Sequence, residues 1–368
     1  AEDAGCYGHP ASPARRPTVV LSLTAIPLLA ATVLFAAVAA PLVAWWWKRT
    51  TKTTWLSALR PLAAVLACQL VAISALFLWV NTEYGFYTSW SDLFGVRSER
   101  VTIQSNGLQT NRLVQSGAGH IQALTVAGRK VLVWLPPQYE QPEFKTTAFP
   151  VLMVLPGQPS TPDVMFRHYD FGHVATTEIN AGRIRPFIAV FPPLMTDPPR
   201  DTECTNIPAG PQDYTWLSSM VPNAVRGHVR AKPGPWSLAG WSTGAFCSAK
   251  LLLSQPQDFQ AAVSLGGYFN AITDRTTGDL FHGDAAARLR NSPLWLYRHH
   301  GLDGRKLLLI FGRQDKESWP PNREMVAVTR GDPNVSFLAF PTGGHNYRNY
   351  RRYLPDALQW LDNVQVAH

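Results

Sequence analysis

Two long apolar runs near the amino terminus confine the first quarter of this chain to a narrow set of structures. From Val19 to Trp47 almost every residue is apolar, and from Pro61 to Val80 only Gln69 and Ser74 are distinctly polar. Each run is long enough to cross roughly 30 Å of hydrocarbon as a helix. A buried core helix of a soluble protein would ordinarily keep a polar face, and neither run has one, so both are expected to span a membrane. Trp45, Trp46 and Trp47 stand where an interfacial aromatic belt belongs. The connector between the runs carries Lys48, Arg49, Lys52 and Arg60, whereas the stretch after the second has no basic residue until Arg97. That asymmetry assigns the connector to the cytoplasm and both ends of the chain to the other side, although Arg15 and Arg16 pull the opposite way. An outside amino terminus ordinarily needs an upstream signal or span, so the native protein is expected to extend beyond Ala1.

The rest of the chain follows from this division. Residues 1–18 are expected outside the cytoplasm, 19–47 and 61–80 as spans, 48–60 as a cytoplasmic connector, 81–108 as a juxtamembrane linker and 109–368 as one large domain. Within that domain short apolar runs recur: Lys130 to Leu135, Val151 to Leu155, Phe187 to Phe191, Trp236 to Ala239, Ala261 to Leu265, Leu307 to Phe311 and Val335 to Phe340. Runs this continuous suit strands buried on both faces. Helical stretches lie between them, notably Ala245 to Ser254, Asp284 to Arg290 and Tyr347 to Val364. The alternation predicts an α/β fold, a mostly parallel sheet flanked by helices.

The chemistry concentrates at strand ends. Gly240-Trp241-Ser242-Thr243-Gly244 directly follows the strand at Trp236, placing a serine between two glycines at a sharp strand-to-helix turn. A serine hydroxyl is a weak nucleophile at its own pKa, so it needs a base, and the base needs an acid to hold its tautomer. Asp315 follows the strand ending at Phe311, with Glu317 as a rival acid. His345 follows the strand ending at Phe340, after Pro341-Thr342-Gly343-Gly344. Three suitable residue types thus occur in the order serine, acid, histidine, each past a predicted strand, and Ser242, Asp315 and His345 are the expected catalytic triad. The backbone N–H of Thr243 and a donor from Gln158, in the loop Pro156-Gly157-Gln158-Pro159, are the expected oxyanion hole. Asn270 to His282 is the candidate pocket wall or lid.

Leu155-Pro156-Gly157, Gly240 to Gly244, Gly312 to Asp315 and Gly343-Gly344-His345-Asn346 together resemble the esterase family that contains esterase D (S-formylglutathione hydrolase) and the secreted mycolyltransferases of mycobacteria. The resemblance runs from about Val131 to Leu361. It implies an α/β-hydrolase fold, no cofactor, and ester hydrolysis or acyl transfer through an acyl-serine. Asp201 to Cys204 with Phe246-Cys247 is similar to a pattern in membrane-anchored or secreted actinobacterial members. Two departures stand out: esterase D relatives usually have His-Gly where this chain has Pro156-Gly157, and the mycolyltransferases use a glutamate as triad acid.

Composition narrows the partners. The net charge is +8, but the basic residues are scattered and no nucleic-acid motif accompanies them, so anionic lipid or cell-wall polymer is the expected attraction and nucleic acid is not. No Cys/His cluster suggests a metal site. Of the cysteines, Cys6 lies near the terminus and Cys68 within the second run. Outside the cytoplasm Cys204 and Cys247 are expected to pair; two buried thiols are the alternative. The expected partners are therefore the lipid bilayer and an acyl ester, with a cell-envelope glycolipid as one form of it. A hydrolase fold without activity, serving as an envelope-binding scaffold, is the alternative reading.

Overall fold

The computed structural model describes residues 23, 25–49, 55–84, 86–87, 90–94 and 119–366. The expected segment 1–18, Lys52 and residues 95–108 of the linker lie outside the described residues. The chain divides into two units, Ala1–Thr82 and Glu83–His368.

The first unit contains α1 (Ile26–Arg49) and α2 (Trp55–Tyr84). Within them Ile26–Trp46 and Leu62–Thr82 are each long and apolar enough to cross a membrane, with a mean hydropathy of 2.3. Side chains such as Leu34, Phe35, Leu70 and Ile73 stand exposed along both helices, as expected of lipid-facing surface. The second helix begins within the expected connector and ends past Val80. The amide of Asn81 at its far end donates to the carbonyl of Leu23, 3.0 Å away.

In the second unit the apolar runs become an eight-stranded sheet in the order β1-β2-β4-β3-β5-β6-β7-β8. The strands are β1 (His120–Val126), β2 (Arg129–Leu135), β3 (Val151–Leu155), β4 (Ile188–Phe191), β5 (Trp236–Trp241), β6 (Phe259–Leu265), β7 (Lys306–Gly312) and β8 (Val335–Phe340). The β1/β2 and β2/β4 pairs are antiparallel and all others parallel. Alternate residues of each central strand enter two different cores. Met153, Leu155, Leu238 and Leu309 pack into one; Leu152, Val154, Ala239 and Ile310 pack into the other. This double burial is why the strands read as unbroken apolar runs.

Helices cover both faces. After the short α3 (Trp90–Phe94) come α4 (Pro162–His168) and α5 (Phe171–Asn180), then α6 (Asp213–Thr215) and α7 (Val221–Arg226), joined by a π turn over Trp216–Met220. They are followed by α8 (Thr243–Ser254), α9 (Ala285–Arg290), α10 (Pro293–His300), α11 (Trp319–Val328), α12 (Tyr347–Arg351) and α13 (Leu354–Val366). Helices α7, α8, α10 and α11 supply residues to the first core. Helices α4, α5, α12 and α13 supply the second.

Three backbones converge where β5 turns into α8. A Cβ added at Gly240 would lie 2.0 Å from the Gly244 carbonyl oxygen, and one at Gly244 would lie 2.2 Å from that of Leu155 on β3. Neither contact can be relieved by moving a side chain, because the obstructing atoms are main chain. Gly240→Ala and Gly244→Ala should therefore each cost about 3 kcal/mol or more. Thermal unfolding checks this; a loss no larger than that of an exposed Gly→Ala change would refute the crossing geometry.

Candidate active site

Ser242 sits between β5 and α8 with φ 55° and ψ −119°. Such a conformation is unfavourable for a residue with a Cβ, and it turns the side chain out of both strand and helix. Thr243 is the first residue of α8, where helix N–H groups lack intrahelical partners. Gly157, after β3, packs against this turn: its added Cβ would approach the Trp241 carbonyl oxygen to 2.9 Å and the Ser242 Cβ to 3.0 Å. Gln158 follows it and is half-buried.

The loops after β7 and β8 bring Asp315 and His345 together. His345 Nδ1 is 2.7 Å from Asp315 Oδ2. The other carboxylate oxygen, Oδ1, accepts from the backbone N–H groups of Glu317 and Ser318, both at 3.1 Å. Tyr350 on α12 donates its hydroxyl to Oδ2. The His345 ring stacks on Trp241, with centroids 4.9 Å apart. His345 Nε2 is buried and has no hydrogen-bond partner among the described residues. The structure thus joins His345 to Asp315 and leaves Ser242 outside hydrogen-bond contact with Nε2.

Burial pushes the Asp315 pKa up, but the charge of His345 and hydrogen bonds from His345, Tyr350 and Ser318 outweigh it and hold the carboxyl below its ordinary range. For His345, burial pulls the pKa down. The charge and hydrogen bond of Asp315, with the charge of Glu317, outweigh that and raise it. Glu317, the rival acid, is exposed, and its Oε2 lies 3.6 Å from His345 Nε2, on the opposite side of the ring from Asp315.

Behind the serine lies a network that joins the Asp201 to Cys204 stretch to α8. Thr243 Oγ1 donates to Asp201 Oδ2 at 2.7 Å. Cys247, one turn along α8, is disulfide-bonded to Cys204, with Cα atoms 5.9 Å apart. Lys250, a further turn along, donates to the carbonyls of Glu203 and Cys204 and to Thr205 Oγ1, at 3.2, 3.0 and 3.0 Å. Glu203 has a positive φ of 45° and a buried carboxylate that accepts from Tyr268 OH and the Ile272 N–H, at 2.8 and 3.1 Å. Asp213 accepts from Thr196 and Thr202 in the same region. Burial drives Glu203 upward and Lys250 downward, each held back by the other's charge. The candidate lid, Asn270 to His282, is fastened to this network: Asp201 N donates to Thr276 O at 3.0 Å, and Arg200 Nε to Thr277 O at 2.9 Å.

No group of three or more His, Cys, Asp or Glu among the described residues is arranged to hold a metal ion.

A family model described as "Putative esterase" matches residues 125–361. Among curated proteins, an uncharacterized protein of Corynebacterium glutamicum is 22% identical over 253 residues, covering 63% of this chain and 57% of that protein. Solved structures with the same fold include the fluorophosphonate-binding serine hydrolase F of Staphylococcus aureus, at a TM-score of 0.55 and 20% identity over 67% of this chain and 100% of that one. An S-formylglutathione hydrolase of Agrobacterium tumefaciens matches at 0.55 and 16% over 72% and 99%. A ferulic acid esterase matches at 0.57 and 17% over 67% and 97%.

Two expectations follow from the site. The disulfide links residues separated by 43 positions, and closing a loop of that length restricts the unfolded chain by about 4 kcal/mol. A Cys204→Ser/Cys247→Ser variant should melt roughly 10 °C lower in calorimetry; an unchanged melting temperature would show the covalent link to be redundant. Secondly, Glu317 helps to raise His345, so Glu317→Gln should lower the pH at which the imidazole loses its proton. An NMR titration of the His345 ring reads this directly, and a shift to higher pH would contradict the assigned geometry.

Proposed function

This chain belongs to that esterase family, and from that premise we propose that it is a membrane-anchored serine carboxylester hydrolase or acyltransferase with Ser242 as nucleophile, His345 as general base and acid, and Asp315 as the orienting carboxylate. The observation that carries the reading is the strained Ser242 turn at the end of β5, beside a buried His345–Asp315 pair at the ends of β7 and β8. The fold places all three at the carboxyl ends of parallel strands, where open α/β sheets bind their ligands.

The steps follow from these groups. Ser242 Oγ attacks the ester carbonyl carbon and its proton passes to His345 Nε2, which carries no competing hydrogen bond. Asp315 keeps the proton on Nδ1, so that Nε2 presents its lone pair, and stabilises the imidazolium that forms. The Thr243 N–H and a donor from Gln158 hold the oxyanion, the first aided by the positive end of the α8 dipole. Collapse breaks the ester C–O bond, the alcohol leaves with the proton from Nε2, and the acyl group remains on Ser242. Water or a second alcohol then reverses the sequence, giving hydrolysis or transfer. The Ser242–His345 hydrogen bond is expected to form with substrate bound, since catalytic contacts often tighten only in the complex.

Two exposed apolar helices, with basic residues at the end of the first, support anchorage and a catalytic domain outside the cytoplasm. The Cys204–Cys247 disulfide supports the same side, since such bonds persist in oxidising compartments. A lipid or cell-envelope acyl ester is the substrate class that a tethered domain would meet.

A fluorophosphonate probe should label the wild-type protein, and Ser242→Ala should abolish labelling. Asp315→Asn should reduce kcat on a short-chain ester by about 10⁴-fold through loss of the correct tautomer. A wild-type protein that stays unlabelled would favour a silent scaffold instead.

A further inference from the structure

We propose that Glu317 orients the water that releases the acyl group from Ser242, and so directs the enzyme towards hydrolysis rather than transfer; this rests on the reading of Ser242, His345 and Asp315 as the catalytic groups. Glu317 Oε2 lies 3.6 Å from His345 Nε2, the nitrogen that takes a proton from the incoming nucleophile. The Glu317 side chain is 45% exposed and that of His345 4%, so the carboxylate meets solvent where the buried base does not.

One anchor sets both groups. Asp315 holds Nδ1 of the imidazole through Oδ2, at 2.7 Å, and the backbone N–H of Glu317 through Oδ1, at 3.1 Å. The loop is secured again where the Trp319 N–H donates to the Asp315 carbonyl at 2.9 Å. The root of the Glu317 side chain is thereby fixed relative to the ring.

A separation of 3.6 Å is too long for a hydrogen bond between the two groups, but it suits two acceptors that share one water. An oxygen about 2.8 Å from each makes both bonds at ordinary length with little bending. Water brings two hydrogens, one for the Nε2 lone pair and one for the carboxylate. A simple alcohol brings one. Nε2 takes it, and Glu317 then faces oxygen lone pairs in place of the charge-assisted bond that water makes. In the step itself the water oxygen bonds to the acyl carbon as Nε2 removes the first hydrogen. The second stays on that oxygen, held by Glu317, and becomes the O–H of the acid product. Collapse of the intermediate breaks the bond from the acyl carbon to Ser242 Oγ, which recovers the proton from Nε2.

The test is the partition of one acyl-enzyme between two nucleophiles. The full chain in neutral detergent, given p-nitrophenyl butyrate in aqueous methanol, yields butyrate by hydrolysis and methyl butyrate by transfer, both read by gas chromatography. Both products form through the same base, so a change in His345 basicity cancels from their ratio. Glu317→Ala should lower the ratio of butyrate to methyl butyrate by about tenfold or more, the effect of losing a hydrogen bond to a charged group. Glu317→Gln should lower it as well, because the amide keeps the size of the side chain, removes the charge and offers an N–H to the alcohol's lone pairs. A ratio unmoved in the alanine variant overturns the proposal. So does a ratio that falls with alanine and stays at the wild-type value with glutamine, since Glu317 would then merely fill space that methanol needs. Fluorophosphonate labelling separates the two levels: intact labelling of all three proteins with a flat ratio sinks the role of Glu317 alone, and an unlabelled wild type sinks the serine enzyme beneath it.

Discussion

Thr243, Cys247 and Lys250 share one face of α8, at spacings of four and three, and all three are bound to the short segment Asp201–Thr205. The attachments differ in kind: a charge-assisted hydrogen bond, a covalent bond and a buried amine meeting three acceptors. The helix that begins at Ser242 is therefore held along two turns of its length. A residue at φ 55° gains nothing from its own backbone preferences, so something outside the turn must hold it there. The glycine crossing supplies the space, and the tie to Asp201–Thr205 supplies the restraint. The same segment fastens the loop from Asn270 to His282 through Asp201 and Glu203. Serine geometry and loop position are thus set by one block of structure.

Two buried acid–base pairs lie near each other in the chain's chemistry but are solved differently. In the His345–Asp315 pair the carboxylate receives a hydrogen bond on every side, and its charge survives burial. In the Glu203–Lys250 pair the partners do not meet side chain to side chain. Lys250 reaches the carbonyl of Glu203, and the Glu203 carboxylate turns to Tyr268 and Ile272 with one oxygen unpartnered. Burial accordingly wins there, pushing Glu203 up to about 8 and Lys250 down to about 7.

Much of this architecture was legible because the central strands are buried on both faces and so announce themselves as apolar runs. The expected runs Val151 to Leu155 and Val335 to Phe340 are strands with those same bounds. Strand β1 escaped because it is an antiparallel edge: most of His120–Val126 is exposed and its pattern has no period to detect. Ser242, Asp315 and His345 could be nominated from strand ends alone, since loops after parallel strands are where side chains converge. Tyr350 and Lys250 could not, and Asp201 stood out only through the resemblance, without its bond to Thr243. Each reaches its partner across the tertiary structure, over sequence separations that no local spacing encodes. The pairing of Cys204 with Cys247 was open between a bond and two thiols; the structure forms the bond.

The helix expected over Tyr347 to Val364 is in fact two, and the break has a chemical reason. Pro355 is the second residue of α13, where its missing N–H costs nothing. In one continuous helix it would lose a bond to the Arg351 carbonyl and its ring would clash there, so α12 ends at Arg351. The interruption lets a single short turn face two ways. Tyr350 is driven inward onto Asp315, and Tyr353 stacks on Phe340, 5.1 Å between centroids. The arginines at 348, 351 and 352 are left on the outer side, against the space that His345 borders. One proline thus sets the orientation of the Asp315 carboxylate through Tyr350 and places the arginines of the same turn along the neighbouring cavity, because the residues that serve each are interleaved there.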